Sequence, residues 1–215
     1  MAEPSWSWTG LYVGAVAGAG HTKWDRNGFY DTNAVGDSFT DGAASIGGTL
    51  GYNFQFAPTW VAGIEGDGNW FDSRHHLTCA AGPDADGIGS CYDSDSLGDL
   101  RSRWYATIRG RVGYLADPRL LVYVTGGVAF GDTSYSVNDY SGGGQGSLTQ
   151  THTGWVVGGG AEWMLARNWT VKGEYLHIDL GSKDYVLPGT AQPDFFTSIR
   201  PVYDVVRIGL NYKLF

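Results

Sequence analysis

Charge is scarce in this chain. Of its 215 residues, 17% are Asp, Glu, Lys or Arg, while 14% are Phe, Trp or Tyr. Soluble domains carry roughly 25% charged residues, so a water-facing surface would be poorly supplied. Basic residues are the scarcer sign, 14 against 22 acids, for a net charge of -8. That argues against nucleic acid as a partner, which calls for clustered Lys and Arg. Long apolar runs are missing too. The best stretch, Leu11 to Gly20, is glycine-rich and falls short of the roughly 18 residues of a transmembrane helix. The start, Met1-Ala-Glu-Pro-Ser, has neither the basic residues nor the apolar core of a secretory signal, which fits a start placed on a mature chain. Only two cysteines occur, Cys79 and Cys91, in one polar Gly/Asp-rich stretch. A local disulfide between them would suit an oxidising compartment; two unpaired thiols are the other reading.

What is abundant is glycine, at 34 positions, with 9 Trp and 13 Tyr. The glycines follow no triplet period, which excludes collagen, and so many aromatics exclude disorder. The apolar residues follow period 2. In Leu100 to Tyr114 the even positions include Trp104, Ala106, Ile108, Val112 and Tyr114, while all four arginines, Arg101, Arg103, Arg109 and Arg111, are odd. Such two-faced alternation marks a β-strand. It recurs in Ile46 to Phe56, Trp60 to Trp70, Trp155 to Leu165, Trp169 to Tyr175 and Val206 to Leu214. Leu11 to Gly20 and Leu120 to Phe130 complete eight strand candidates. After Tyr175 the pattern slips, with Leu176 and Ile178 on the wrong parity, as at a bulge or at the end of the lipid-facing zone.

The connections alternate. Three are tight, at Ala57-Pro58-Thr59, Ala116-Asp117-Pro118-Arg119 and Ala166-Arg167-Asn168; four are long, roughly 21–42, 72–99, 131–152 and 181–200. All seven prolines are expected outside strand interiors. Short turns alternating with long loops are the layout of an outer-membrane barrel. The acidic excess lies in the long loops, whose acids are all Asp; the strands are nearly balanced.

Alternation alone does not separate a membrane barrel from a soluble one. The charges do. One parity carries Glu65, Asp67, Arg101, Arg103, Arg109, Arg111, Glu162, Lys172, Glu174 and Arg207, and the other carries Trp, Val, Leu and Ile. In water the second face would be an apolar belt far beyond a normal exposed patch. In lipid it is satisfied, and a closed barrel pairs every backbone group. The sequence therefore predicts an all-β chain: an eight-stranded antiparallel up-and-down transmembrane β-barrel, with short periplasmic turns and four long extracellular loops. Residues 1–8 form a periplasmic tail and 9–215 the single barrel domain. The ten charged residues are expected as an ion network inside the lumen, because unpaired buried charge is costly. Trp60, Trp163, Trp169, Tyr52, Tyr114 and Tyr212 suit an interfacial aromatic girdle.

Three stretches resemble the small outer-membrane β-barrel proteins of Gram-negative bacteria, of the porin-family, opacity type. They are Trp8-Thr9-Gly10-Leu11-Tyr12-Val13-Gly14, Arg109-Gly110-Arg111-Val112-Gly113-Tyr114, and Val206 to Phe215. The ending is similar to the signal read by the barrel-assembly machinery, with Arg207, Gly209, Tyr212, Leu214 and Phe215 in the matching roles. Family members end on an aromatic in register with the tyrosine; here Leu214 is in register and Phe215 is one beyond. The resemblance implies an integral outer-membrane location, contact with membrane lipid and lipopolysaccharide, and a structural, adhesive or ligand-contacting role toward a host or other extracellular surface.

No nucleophile elbow or phosphate loop is present, and no cofactor is expected. His21, His75, His76 and His152 fall in or beside different long loops and would form a haem or metal site only by converging at the mouth. Asp84, Asp86, Asp93 and Asp95 cluster in one loop, but Asp84-x-Asp86-Gly87 departs from calcium-loop spacing. No Ser/His/acid set with the spacing of a lipid-A enzyme stands out, so the chain is read as non-enzymatic. A narrow or gated pore is the alternative function.

Overall fold

The computed structural model describes residues 6–30, 33–78, 97–139, 144–186 and 196–214. Among these residues nine strands follow in order: β1 (Gly10–Tyr30), β2 (Asn33–Ala57), β3 (Trp60–Thr78), β4 (Leu97–Asp117), β5 (Leu120–Asp139), β6 (Gly144–Met164), β7 (Trp169–Asp179), β8 (Lys183–Val186) and β9 (Phe196–Lys213). Neighbours pair antiparallel, and β9 pairs with both β7 and β1 to close a ring of eight. The four-residue β8 pairs with β9 beyond the end of β7, so it continues that strand's line after a break. The tight connections fall where the prolines and polar residues of the sequence put them.

Side chains alternate as the parity requires. Ile64 and Ile208 are each 67% exposed and point away from the barrel. No water-soluble core would leave them there. On β3 the outward face begins at Trp60 and reaches a second tryptophan at Trp70; their cross-strand partners on β4 are Tyr114 and Trp104. These aromatic pairs bracket a length matching the 9–11 residues of a tilted strand crossing a bilayer.

The strands outrun that belt. Segments expected as long loops are β-structure for much of their length: β1 and β2 stay in continuous register from Gly20↔Ala43 to Tyr30↔Asn33. Above the belt the outward face turns polar, so the two-faced hydropathy signal fades while backbone pairing continues. The expected slip after Tyr175 is not a bulge. Burial alternates through Leu176, and β7 keeps register with β6 and β9. Leu176 and Ile178 face inward because the lumen filling itself turns apolar at that height.

One proline breaks the expectation. Pro201 lies inside β9, opposite Trp24 of β1. On its other side β7 has ended and β8 has not begun. The Pro201 carbonyl accepts the Leu180 N–H at 3.1 Å, and a residue's N–H and C=O share a side in an antiparallel ladder. The missing donor therefore points at the gap. Gly181 in that gap has φ +67°, the left-handed region that favours glycine, and its N–H is held by Asp179 at 2.9 Å.

Candidate functional site

The lumen is filled in layers. At the short-turn end, Trp8 packs with Val61, Leu115, Leu121, Tyr123 and Met164. Its indole N–H donates to the Pro118 carbonyl at 3.2 Å. A sequence segment read as a tail thus supplies a stopper, and nothing in its composition announces it.

Above the stopper, eight of the ten charged residues expected inside come together, four cations against four carboxylates. Arg109 donates to Glu65 at 2.5 Å and to Asp67 and Glu174 at 2.9 Å. Arg207 spans Asp67 and Glu174. Lys172 reaches both Glu65 oxygens at 2.8 Å and Glu174 at 3.1 Å. Arg111 donates to Glu162 and to the Asn53 side chain, both at 2.9 Å, and its guanidinium lies between the Tyr12 and Tyr123 rings. Tyr12, Thr107, Thr170 and Asn211 donate to the same carboxylates. These neutral partners were not singled out from sequence; their inward parity was the available signal. The set is neutral in sum and buried throughout, the condition under which dehydrated charges are tolerated. A cavity of about 20 Å³ beside Trp8, Tyr12, Asn53 and Glu162 is water-sized.

The network is closed above as well. Phe71, Tyr105, Leu176, Ile178 and Tyr203 form a buried cluster. The Phe71 and Tyr203 ring centroids are 4.9 Å apart. A third cluster of Trp24, Leu100, Tyr135, Tyr185 and Ile199 lies nearer the strand tips.

Arg101 and Arg103 are corrections. Both point outward, not into the lumen. The register of β4 shifts between Arg101 and Tyr105 against β5, and Arg103 and Trp104 are exposed in succession. A bulge inserts one residue and reverses the parity beyond it. Asp132 of β5 holds the bulge, accepting the backbone N–H groups of Arg103 at 2.7 Å and Trp104 at 3.0 Å. Arg101 instead engages Asp72 on β3.

The four histidines do not converge. His21 faces outward and pairs with Asp204 at 3.7 Å. His75 pairs with Asp41 at 2.9 Å and His76 with Asp99 at 2.5 Å, on different strand pairs. His152 points inward; its Nδ1–H donates to the Gly181 carbonyl at 3.2 Å, and its Nε2 lies 2.8 Å from the Tyr185 hydroxyl, which donates to the Thr133 carbonyl at 3.1 Å. Burial pushes its pKa below the ordinary histidine value. Among the described residues, no group of three or more His, Cys, Asp or Glu is placed to hold a metal. On the outer face, Asp204 also binds His177 at 2.8 Å and accepts from Tyr175.

Of the terminal signal, Arg207 belongs to the lumen network. Gly209 leaves space for the Lys172 chain, whose carbons a Cβ there would meet at 3.0 Å. Tyr212 and Leu214 face outward, and the Tyr212 and Trp169 rings lie 4.9 Å apart. Phe215, Cys79, Cys91, Asp84, Asp86, Asp93 and Asp95 lie outside the described residues.

A family model described as the outer membrane protein beta-barrel domain matches residues 1–213. The 31 kDa outer-membrane immunogenic protein of Brucella melitensis biotype 1 is 33% identical over 97% of this chain and 85% of its own length. The 22 kDa outer membrane protein of Rhizobium leguminosarum bv. viciae is 33% identical over 86% of this chain and 70% of its own. Among solved structures, the outer membrane protease OmpT from Escherichia coli aligns over 99% of both chains with a TM-score of 0.59 at 11% identity. OprG from Pseudomonas aeruginosa aligns over 98% of this chain and 100% of its own, with a TM-score of 0.50 at 13% identity. At such identities the likeness is one of fold.

Proposed function

Because the chain belongs to the outer membrane protein beta-barrel domain family and is a protein of the Gram-negative outer membrane, we propose that it is a sealed, non-catalytic barrel. Its work is done outside the lumen, as an anchor that holds rigid strand extensions at the cell surface for structural, adhesive or ligand contact. The single observation carrying this reading is the stacking of the lumen. The neutral ion network lies between the Trp8 stopper on one side and the Phe71–Tyr105–Tyr203 cluster on the other. A conducting path needs continuous water, and eight-stranded barrels have interiors just wide enough for side chains to fill. The naming of the Brucella relative as immunogenic supports a surface that is met from outside. The charged lumen groups are spent on one another, which supports the absence of acid–base chemistry inside.

Planar-bilayer recording on the refolded protein tests it. The expected outcome is no stable single-channel step. Reproducible steps would overturn the sealed reading in favour of a narrow pore.

A further inference from the structure

The β4 bulge assembles something the lumen does not use. Arg74 of β3 and Arg101 of β4 are directly opposed across the strand pair, an arrangement that by itself destabilises a sheet. Arg103 joins them on the same outer face because the bulge turns it out. The three side chains are 53%, 34% and 45% exposed. The carboxylate between the first two is Asp72, which accepts from Arg74 at 3.0 Å and 3.2 Å and from Arg101 at 3.0 Å and 3.3 Å. Asp132 lies 3.5 Å from Arg103, but one of its oxygens is committed to the two bulge amides. Asp99, higher on the same face, is taken by His76. Three guanidiniums thus retain donors with no acceptor among the described residues. Directly below them the Trp70–Trp104 pair marks the upper edge of the apolar belt.

We propose that Arg74, Arg101 and Arg103 form a binding site for the phosphate groups of an outer-leaflet phosphoglycolipid. Guanidinium presents paired N–H donors that match phosphate oxygens. The cluster faces sideways from the barrel at the height where Trp residues settle among headgroups. A free phosphate ion is the weaker occupant. Guanidiniums this exposed hold a small ion loosely in salt, whereas a membrane lipid is confined beside them and adds acyl contact with Trp70 and Trp104. The bulge is then a recognition device: it converts an arginine that would enter the lumen into one that faces the lipid.

Native mass spectrometry of the detergent-folded protein provides the test, with bisphosphorylated lipid A, dephosphorylated lipid A and inorganic phosphate as probes. Wild type should retain bisphosphorylated lipid A, and the R74Q/R101Q/R103Q variant should lose at least about tenfold in affinity, a factor equal to about 1.4 kcal/mol. Dephosphorylated lipid A should bind both proteins equally and weakly. A difference between unboiled and boiled gel migration establishes that the variant is folded. Should the triple variant fail to fold, R103Q, which leaves the Arg74–Asp72–Arg101 clasp intact, should still show reduced retention. Equal retention by folded wild type and variants, equal retention of both lipid forms by wild type, or inorganic phosphate binding as tightly as the lipid would each overturn the proposal.

Discussion

Arg207 and Asp67 are 140 residues apart in the chain and meet across the lumen, with two guanidinium nitrogens on two carboxylate oxygens at 3.1 Å each. The pair ties β9 to β3, which are not neighbours in the ring. It is a cross-brace independent of the backbone ladder.

Breaking the brace on one side leaves a buried charge without its partner. Asp67→Asn should lower the stability of the folded barrel by about 3–5 kcal/mol, read as the urea midpoint for loss of the fast-migrating unboiled band. Arg207→Met should cost a similar amount. The double variant should cost clearly less than the two single losses together, because neither charge is then stranded. Strict additivity would show that the two side chains are not coupled.

His152 makes stability depend on pH. Its pKa is lowered in the fold by burial, so the unfolded chain takes up the proton first as pH falls. Stability contributed by the neutral imidazole is complete above about pH 6.5, the ordinary histidine value, and declines below it. The urea midpoint should therefore fall between pH 7 and pH 5 in wild type. His152→Gln should flatten that part of the profile, and an unchanged slope would contradict the account.

Asp72 acts at a lower pH. Hydrogen bonds from Arg74, then Arg101, hold its pKa at about 2, below the ordinary aspartate value of about 3.9. A depressed folded pKa gives stability that is present above about pH 4 and disappears toward pH 2. The midpoint difference between wild type and D72N should be small, because the group is solvent-screened. It should also vanish on acidification through that window.

The β7–β8 break yields a contrast between two neighbours. Gly181→Ala forces a side chain into the left-handed region and should cost roughly 1–2 kcal/mol. Pro201→Ala restores an N–H that faces the gap and should change stability by less than about 1 kcal/mol. Comparing both midpoints with wild type checks the assignment; a large loss at Pro201 would mean its ring, not its missing donor, matters there.

The belt and much of the network are legible in sequence because both obey one rule. Ile64 and Ile108 alternate with Glu65 and Arg109 on strands with no irregularity between them, so parity alone assigns each to a face. Arg101 and Arg103 obey the same rule in the sequence and break it in space. One inserted residue reverses every face beyond it, and the bulge is held by Asp132, 29 positions on from Arg103, which no local pattern links to it. The strand extensions are illegible for another reason: residues such as Lys23 and Asp25 face water outside the belt, so the polar-apolar contrast that reveals strands is absent there. Trp8 sits in a short segment without periodicity, and its role as a stopper depends on which end of the barrel the chain enters.

From Trp70 the strand β3 continues to Thr78, roughly 25 Å of chain at about 3.3 Å per residue. The barrel wall therefore rises past the headgroups as a stiff collar, with Trp24, Tyr135 and Tyr185 packed in its bore. The collar's outer face is thus separate from the apolar belt that meets lipid, and changes in its sequence need not disturb that belt. That outer face can then diversify on a mast whose base stays chemically fixed.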